Sequence, residues 1–151
     1  MSLPADASAL FDLIIASYRH WTGEAFPVPE RFGDDAASWV YRDAPFALLA
    51  HGAAADPLFV YANLAGQRLF GYTWAEMIGL PSRYSAPEEL RPMREQLLRR
   101  VEQQGCVGDY RGIRVSKAGA RFWIEQTTVW QLVDAGRSAG LAALIRGSRP
   151  A

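Results

Sequence analysis

The chain has 151 residues, half of them hydrophobic and 21% charged, the balance of a folded domain with a real core. Its 16 basic and 16 acidic residues cancel, so nucleic-acid binding by bulk charge is disfavoured, and its single cysteine, Cys106, excludes an internal disulfide. No apolar run approaches the roughly 20 residues of a membrane span, and the N-terminal stretch has acidic residues before its apolar part rather than a basic leader. A cytoplasmic protein with no membrane partner is expected.

Residues 6–21 carry Leu10, Phe11, Ile14, Ile15, Tyr18 and Trp21 at helical spacing, with Asp6 or Ser8 to cap and Gly23 to stop. FPVPERFGDD (26–35) reads as a connector, and a short helix is expected over 35–42. FALLAHG (46–52) and PLFVYAN (57–63) are compact apolar runs around Asp56-Pro57 and predict a β-hairpin. In NLAGQRLFGYTWAEMIG (63–79), Asn63 opens a short helix closed by Gly71. Thr73 and Glu76 have capping-box spacing before Gly79.

Residues 87–104 predict the clearest helix in the chain, with Leu90, Met93, Leu97, Leu98 and Val101 on one stripe and Gly105 beyond its end. GDYRGIRVS, ARFWIEQTTVWQL and GLAALIR then read as three strands, separated by the turns Lys117-Ala118-Gly119 and Asp134-Ala135-Gly136. The organisation is an N-terminal helix and connector (1–37) followed by an α+β domain (38–151).

That order, with Asn63, Leu69-Phe70-Gly71-Tyr72, Thr73 and Glu76-Met77-Ile78-Gly79, resembles the PAS fold. The resemblance implies a five-stranded antiparallel sheet with helices on one face, here with an N-terminal helical extension. APFALLAHG, DPLFVYAN, LPSRYSA, QGCVGDYRGIRVS and RFWIEQTTVWQLVD are similar to the MEKHLA domain, a PAS-related family, over roughly residues 38–146. The absence of a homeodomain or zipper from the sequence matches the stand-alone bacterial form of that family. The resemblance implies sensing, protein interaction or dimer control, and no catalytic role.

Flavin-binding photosensory relatives carry a reactive cysteine where this chain has Ser82. A serine hydroxyl cannot form that adduct. Arg83 corresponds to an arginine that holds the flavin phosphate in those relatives, or is simply a structural arginine beside a turn. Neither His20 nor His51 lies in the long helix that supplies a haem ligand in other relatives, and the two do not suggest a zinc site. His51 reads as a turn residue bonded to backbone. The cofactor is therefore left unknown, with a small organic ligand or an unreacted flavin still open.

The family register places Tyr110, Gly112 and Arg114 inward on the third strand, and Phe122, Ile124, Gln126, Thr128 and Trp130 inward on the fourth. Hydrophobicity alone selects Ile113 and Val115 on the third strand instead. An inward Arg114 needs either an anionic ligand, held with Gln126, or a protein carboxylate or carbonyl. With Arg83, Tyr61 and Met77, these residues are the candidate ligand-binding set. Asn63 is read as a helix cap rather than a ligand contact. Trp123, Val129, Ile113 and Val115 would face outward, to be covered by the 6–21 helix of the same chain or of a second one. Homodimerisation through Leu10, Ile14, Tyr18 and Trp123 is expected, along with an unidentified protein partner. Two other readings are a ligand-free interaction module and a small cone-shaped α+β isomerase or dehydratase. The latter lacks an acid at a persuasive spacing from His20 or His51.

Overall fold

The apolar runs flanking Asp56-Pro57 pair as an antiparallel hairpin, β1 (Ala47–His51) and β2 (Phe59–Ala62), in the computed structural model, which describes residues 3, 4 and 6–151. β3 (Cys106–Val115), β4 (Arg121–Asp134) and β5 (Arg137–Ile145) complete an antiparallel sheet of order β2-β1-β5-β4-β3. After Arg146 the chain continues along β4 as β6 (Gly147–Pro150), which pairs with Phe122–Glu125. The sequence reading stopped at Arg146, because GSRP has no apolar alternation to mark a strand.

One face of the sheet carries α3 (Leu64–Phe70), α4 (Trp74–Met77) and α5 (Arg91–Gln104). Asn63 is fully buried and starts α3. Its Oδ1 accepts from the Gly66 and Leu48 amides, and its Nδ2 donates to the Val40 and Phe46 carbonyls, all at 2.9 Å. The amide thus caps a helix and ties α3 to β1 and to the segment before it. Thr73 and Glu76 form the reciprocal capping box of α4. Gly71 and Gly79 have φ of 78° and 91°, which a side chain would strain, so both short helices can leave tightly.

The opposite face is covered by α1 (Ala7–Thr22) and α2 (Ala36–Arg42). Phe11, Ile14 and Tyr18 bury against Trp130, Leu132 and Leu144, each worth about 2 kcal/mol of apolar burial. Polar contacts fix the register: Trp130 Nε1 donates to the Ile14 carbonyl at 3.1 Å, and the Val133 amide donates to Ser17 Oγ at 2.9 Å. The stripe proposed for a second subunit is therefore occupied within its own chain. Ile14 and Tyr18 are enclosed and Leu10 is half-buried; Trp123 is half-buried on β4, with the Arg111 guanidinium 3.7 Å from its ring centre. No helix among the described residues is long and apolar enough to cross a membrane.

Three register shifts decide which side chains face which layer. Asp109 on β3 and Gln126 on β4 have φ of 52° and 50°, and the ladder slips on either side of Tyr110. Tyr110, Gly112 and Arg114 pair with Thr127, Ile124 and Phe122. Beyond Ile124 the Gln126 bulge reverses the alternation, so Thr127 and Val129 line the α5 side while Trp130 turns under α1. The inward placement of Gln126, Thr128 and Trp130 is corrected: Gln126 is exposed and Trp130 belongs to the outer core. A third shift, between Ala50 and His51, sets His51 opposite Phe59, while Tyr61 stays opposite Ala50 in the outer core and away from the α5 side.

Candidate functional site

The face that α5 turns to the sheet includes Leu97, Val101 and one cation, Arg94, all buried. Met93, assigned to the apolar stripe from sequence, is 64% exposed. Arg94 lies four residues after Leu90 and three before Leu97, so it continues their stripe and is carried inward. A charged residue in register with an apolar stripe was the available signal, and the sequence reading passed over it.

Beneath α5 lies a cavity of ≈ 70 Å³, with Phe59, Phe70, Leu97, Ile124, Val129 and Ile145 in its apolar wall. His51, Arg94, Tyr110 and Arg114 are its principal polar wall. A second space of ≈ 260 Å³ runs between α5 and the edge strand β3. The two share Arg94, Leu97, Tyr110 and Arg114, so these four side chains divide the inner cavity from the groove.

Both arginines are buried, at 7% and 8% exposure, and neither has a carboxylate partner among the described residues. Arg94 Nη2 donates to Ser82 Oγ at 2.6 Å. Burial, and after it the nearby Arg114 charge, push the Arg94 pKa down to about 10. Arg114 donates from Nη1 to the Ile113 carbonyl at 2.9 Å and from Nη2 to the Tyr110 hydroxyl at 3.4 Å. Gly112 makes room for that pair: a Cβ there would sit 2.4 Å from the Tyr110 hydroxyl oxygen and 3.1 Å from Arg114 Nη1.

His51 was read as a turn residue bonded to backbone. It is instead a buried residue of β1 whose Nδ1 lies 2.8 Å from Ser82 Oγ. Arg94 can only donate, so the Ser82 hydroxyl accepts from it and still has a proton and a second lone pair to offer Nδ1. The imidazole is neutral at pH 7. Burial, reinforced by the Arg94 charge, lowers its pKa to about 4. His51, Ser82 and Arg94 form a chain that runs from β1 to α5.

The other candidate residues lie elsewhere. Arg83 is half-exposed, pairs with Asp56 and stacks on Tyr84, and it lines neither space. Phe122 and Met77 belong to the apolar cluster around Phe70 that adjoins the cavity. Tyr61 packs edge-on to Trp74 in the outer core, and its hydroxyl has no protein partner among the described residues. Cys106, opposite Trp130, is half-buried with its thiol pKa raised by desolvation, and it is not part of the cavity wall. Among the described residues no group of three or more His, Cys, Asp or Glu is placed to hold a metal ion.

This architecture, a five-strand antiparallel path with a helical layer over a small cavity, is that of a PAS-type domain. The model of the MEKHLA domain matches residues 8–148, nearly the whole chain, and the chain belongs to that family. Among solved structures, an RNA-binding light-oxygen-voltage receptor aligns at 23% identity with a TM-score of 0.63. That alignment covers 84% of this chain but only 35% of the receptor, so the chain spans about a third of its length. The PAS domain of a protein from Colwellia psychrerythraea aligns at 18% identity, covering 81% of this chain and 98% of that one, with a TM-score of 0.62. The light-oxygen-voltage domain of a blue-light-activated histidine kinase from Erythrobacter litoralis aligns at 19% identity, covering 72% and 99%, with a TM-score of 0.58. These likenesses establish the fold. No curated protein matches the chain in sequence.

Proposed function

We propose that the protein is a non-catalytic PAS-type sensory module that binds a small organic anion beneath α5 and passes the signal on by protein contact. One observation carries this reading: two buried guanidinium groups, Arg94 and Arg114, face one cavity with no carboxylate among the described residues to neutralise them. Buried cations without partners are costly and are retained where an external anion completes them. The remaining wall is largely apolar, which suits an organic ligand rather than a bare ion.

The flavin of light-oxygen-voltage relatives does not fit this cavity. Its ≈ 70 Å³ is far below the roughly 300–1,000 Å³ of pockets that enclose drug-sized ligands. Ser82, which the family resemblance sets where the photoactive cysteine stands, bonds to Arg94 and His51.

An anion bridging Arg94 on α5 and Arg114 on β3 would draw the helix toward the sheet edge. The helix position would then report occupancy to a second protein or a second copy of this chain. Thermal denaturation of the purified protein against a panel of organic anions and their neutral analogues tests the reading. Stabilisation by anions alone, lost in Arg114→Met, is expected; equal stabilisation by neutral analogues would overturn it. Sedimentation with and without a stabilising anion tests the contact step, and an unchanged mass together with failure to capture any partner in the bound state would remove it.

A further inference from the structure

The polarity of the site is arranged in depth. The four side chains shared by cavity and groove include both arginines and Tyr110, so the donors stand at the opening between the two spaces. Phe59, Phe70, Ile124 and Ile145 line the inner space only. An apolar recess behind a cationic neck accepts an amphiphile tail-first, with its anionic head left between the guanidinium groups.

The dimensions limit that tail. At roughly 10–15 Å³ per water-sized group, the ≈ 70 Å³ recess holds about five non-hydrogen atoms. The donor geometry limits the head. Arg94 already commits one N–H, to Ser82, and Arg114 commits two, to the Ile113 carbonyl and the Tyr110 hydroxyl. What remains is a narrow set of donors from two forks, suited to a planar two-oxygen acceptor. A tetrahedral phosphate would need acceptor contacts on all sides, and the inner wall is chiefly hydrocarbon.

Building on the anion-binding reading above, we infer that the ligand is a short-chain carboxylate, with an aliphatic tail of about three to five carbons in the recess and its carboxylate between Arg94 and Arg114. Acetate leaves the recess unfilled. A long fatty acid exceeds the inner space.

The test is calorimetric titration of the full chain, after dialysis, with butyrate, acetate, octanoate, butyramide and inorganic phosphate. Butyrate is expected to bind saturably and more tightly than acetate or octanoate. Arg94→Met should weaken it about tenfold or more, the loss of a charge-assisted hydrogen bond, and Arg94→Lys should restore part of it. Val129→Phe, which fills the recess and keeps both arginines, should abolish butyrate binding and serves as an independent variant, with circular dichroism to verify each fold. Phosphate binding without butyrate binding overturns the carboxylate and leaves the anion site standing. Butyramide binding as well as butyrate overturns both. Octanoate binding better than butyrate, or silence from every aliphatic probe, overturns the short-chain assignment.

Discussion

Arg94 donates to Ser82 Oγ at 2.6 Å from the buried face of α5, and no carboxylate answers its charge among the described residues. On the proposed reading, a side chain held this way would serve anion binding at the expense of the ligand-free fold. Replacing a buried ionic group by an apolar one of similar volume is commonly neutral or stabilising. Arg94→Met is therefore expected to stabilise the dialysed protein by about 1 kcal/mol in urea unfolding, while losing the anion effect. A loss of more than about 1 kcal/mol would show instead that the Ser82 contact is structural.

The same chain makes a pH prediction. His51 is neutral in the fold, with its pKa lowered from 6.5 to about 4 by burial and by Arg94. Above pH 6.5 the ring is neutral folded and unfolded, so it carries no penalty. Between 6.5 and 4 only the unfolded chain takes up the proton, and stability falls as the pH falls, by about 3 kcal/mol in all. Urea unfolding between pH 5 and 6.5 should show this slope, and His51→Asn should flatten it. An equal slope in the variant would assign it to other groups.

Much of the architecture was legible, because hydrophobic period and turn chemistry are local. Asn63, Thr73-Glu76 and Gly71 marked the short helices where they occur, and the runs around Asp56-Pro57 gave the hairpin. The site was less legible, because it depends on two bulges and a helix phase. Non-glycine residues at positive φ are uncommon, and nothing in Gln126 or Asp109 announces one. Counting alternation through Gln126 inverted the rest of β4. Arg94 was overlooked because a charge within an apolar stripe is ordinarily assigned to the solvent side.

Asn63 satisfies all four of its hydrogen-bonding positions with backbone groups of four different residues. Asn63→Ala strands buried donors and acceptors around it and should cost about 3 kcal/mol or more. Asn63→Asp keeps the two acceptor contacts but sets an anionic oxygen against the Val40 and Phe46 carbonyls. It should be at least as damaging at pH 7 as at pH 4, where protonation restores one donor. A harmless Asn63→Asp at pH 7, in calorimetric melting, would contradict the donor assignment.

Tyr61 presents the reverse case. Its hydroxyl is enclosed without a protein partner among the described residues, and burial raises its pKa. Tyr61→Phe removes a desolvated polar group and keeps the ring against Trp74. It should be neutral or stabilise by about 1 kcal/mol in urea unfolding. Clear destabilisation would mean that the hydroxyl is bonded to an ordered water.

Gly112 separates the fold from the site most cleanly. A methyl group there meets the tip of Tyr110 first, at 2.4 Å, and Arg114 Nη1 at 3.1 Å. Both are ends of side chains rather than backbone, so they can move aside at modest cost, and Gly112→Ala should lose about 1 kcal/mol or less in urea unfolding. Moving them separates Arg114 from the Tyr110 hydroxyl and narrows the neck of the recess. Anion-dependent stabilisation should therefore fall sharply in Gly112→Ala while the circular dichroism spectrum is unchanged. If the variant responds to anions as the parent protein does, Tyr110 and Arg114 do not form the gate, and ligand entry must be sought elsewhere along α5.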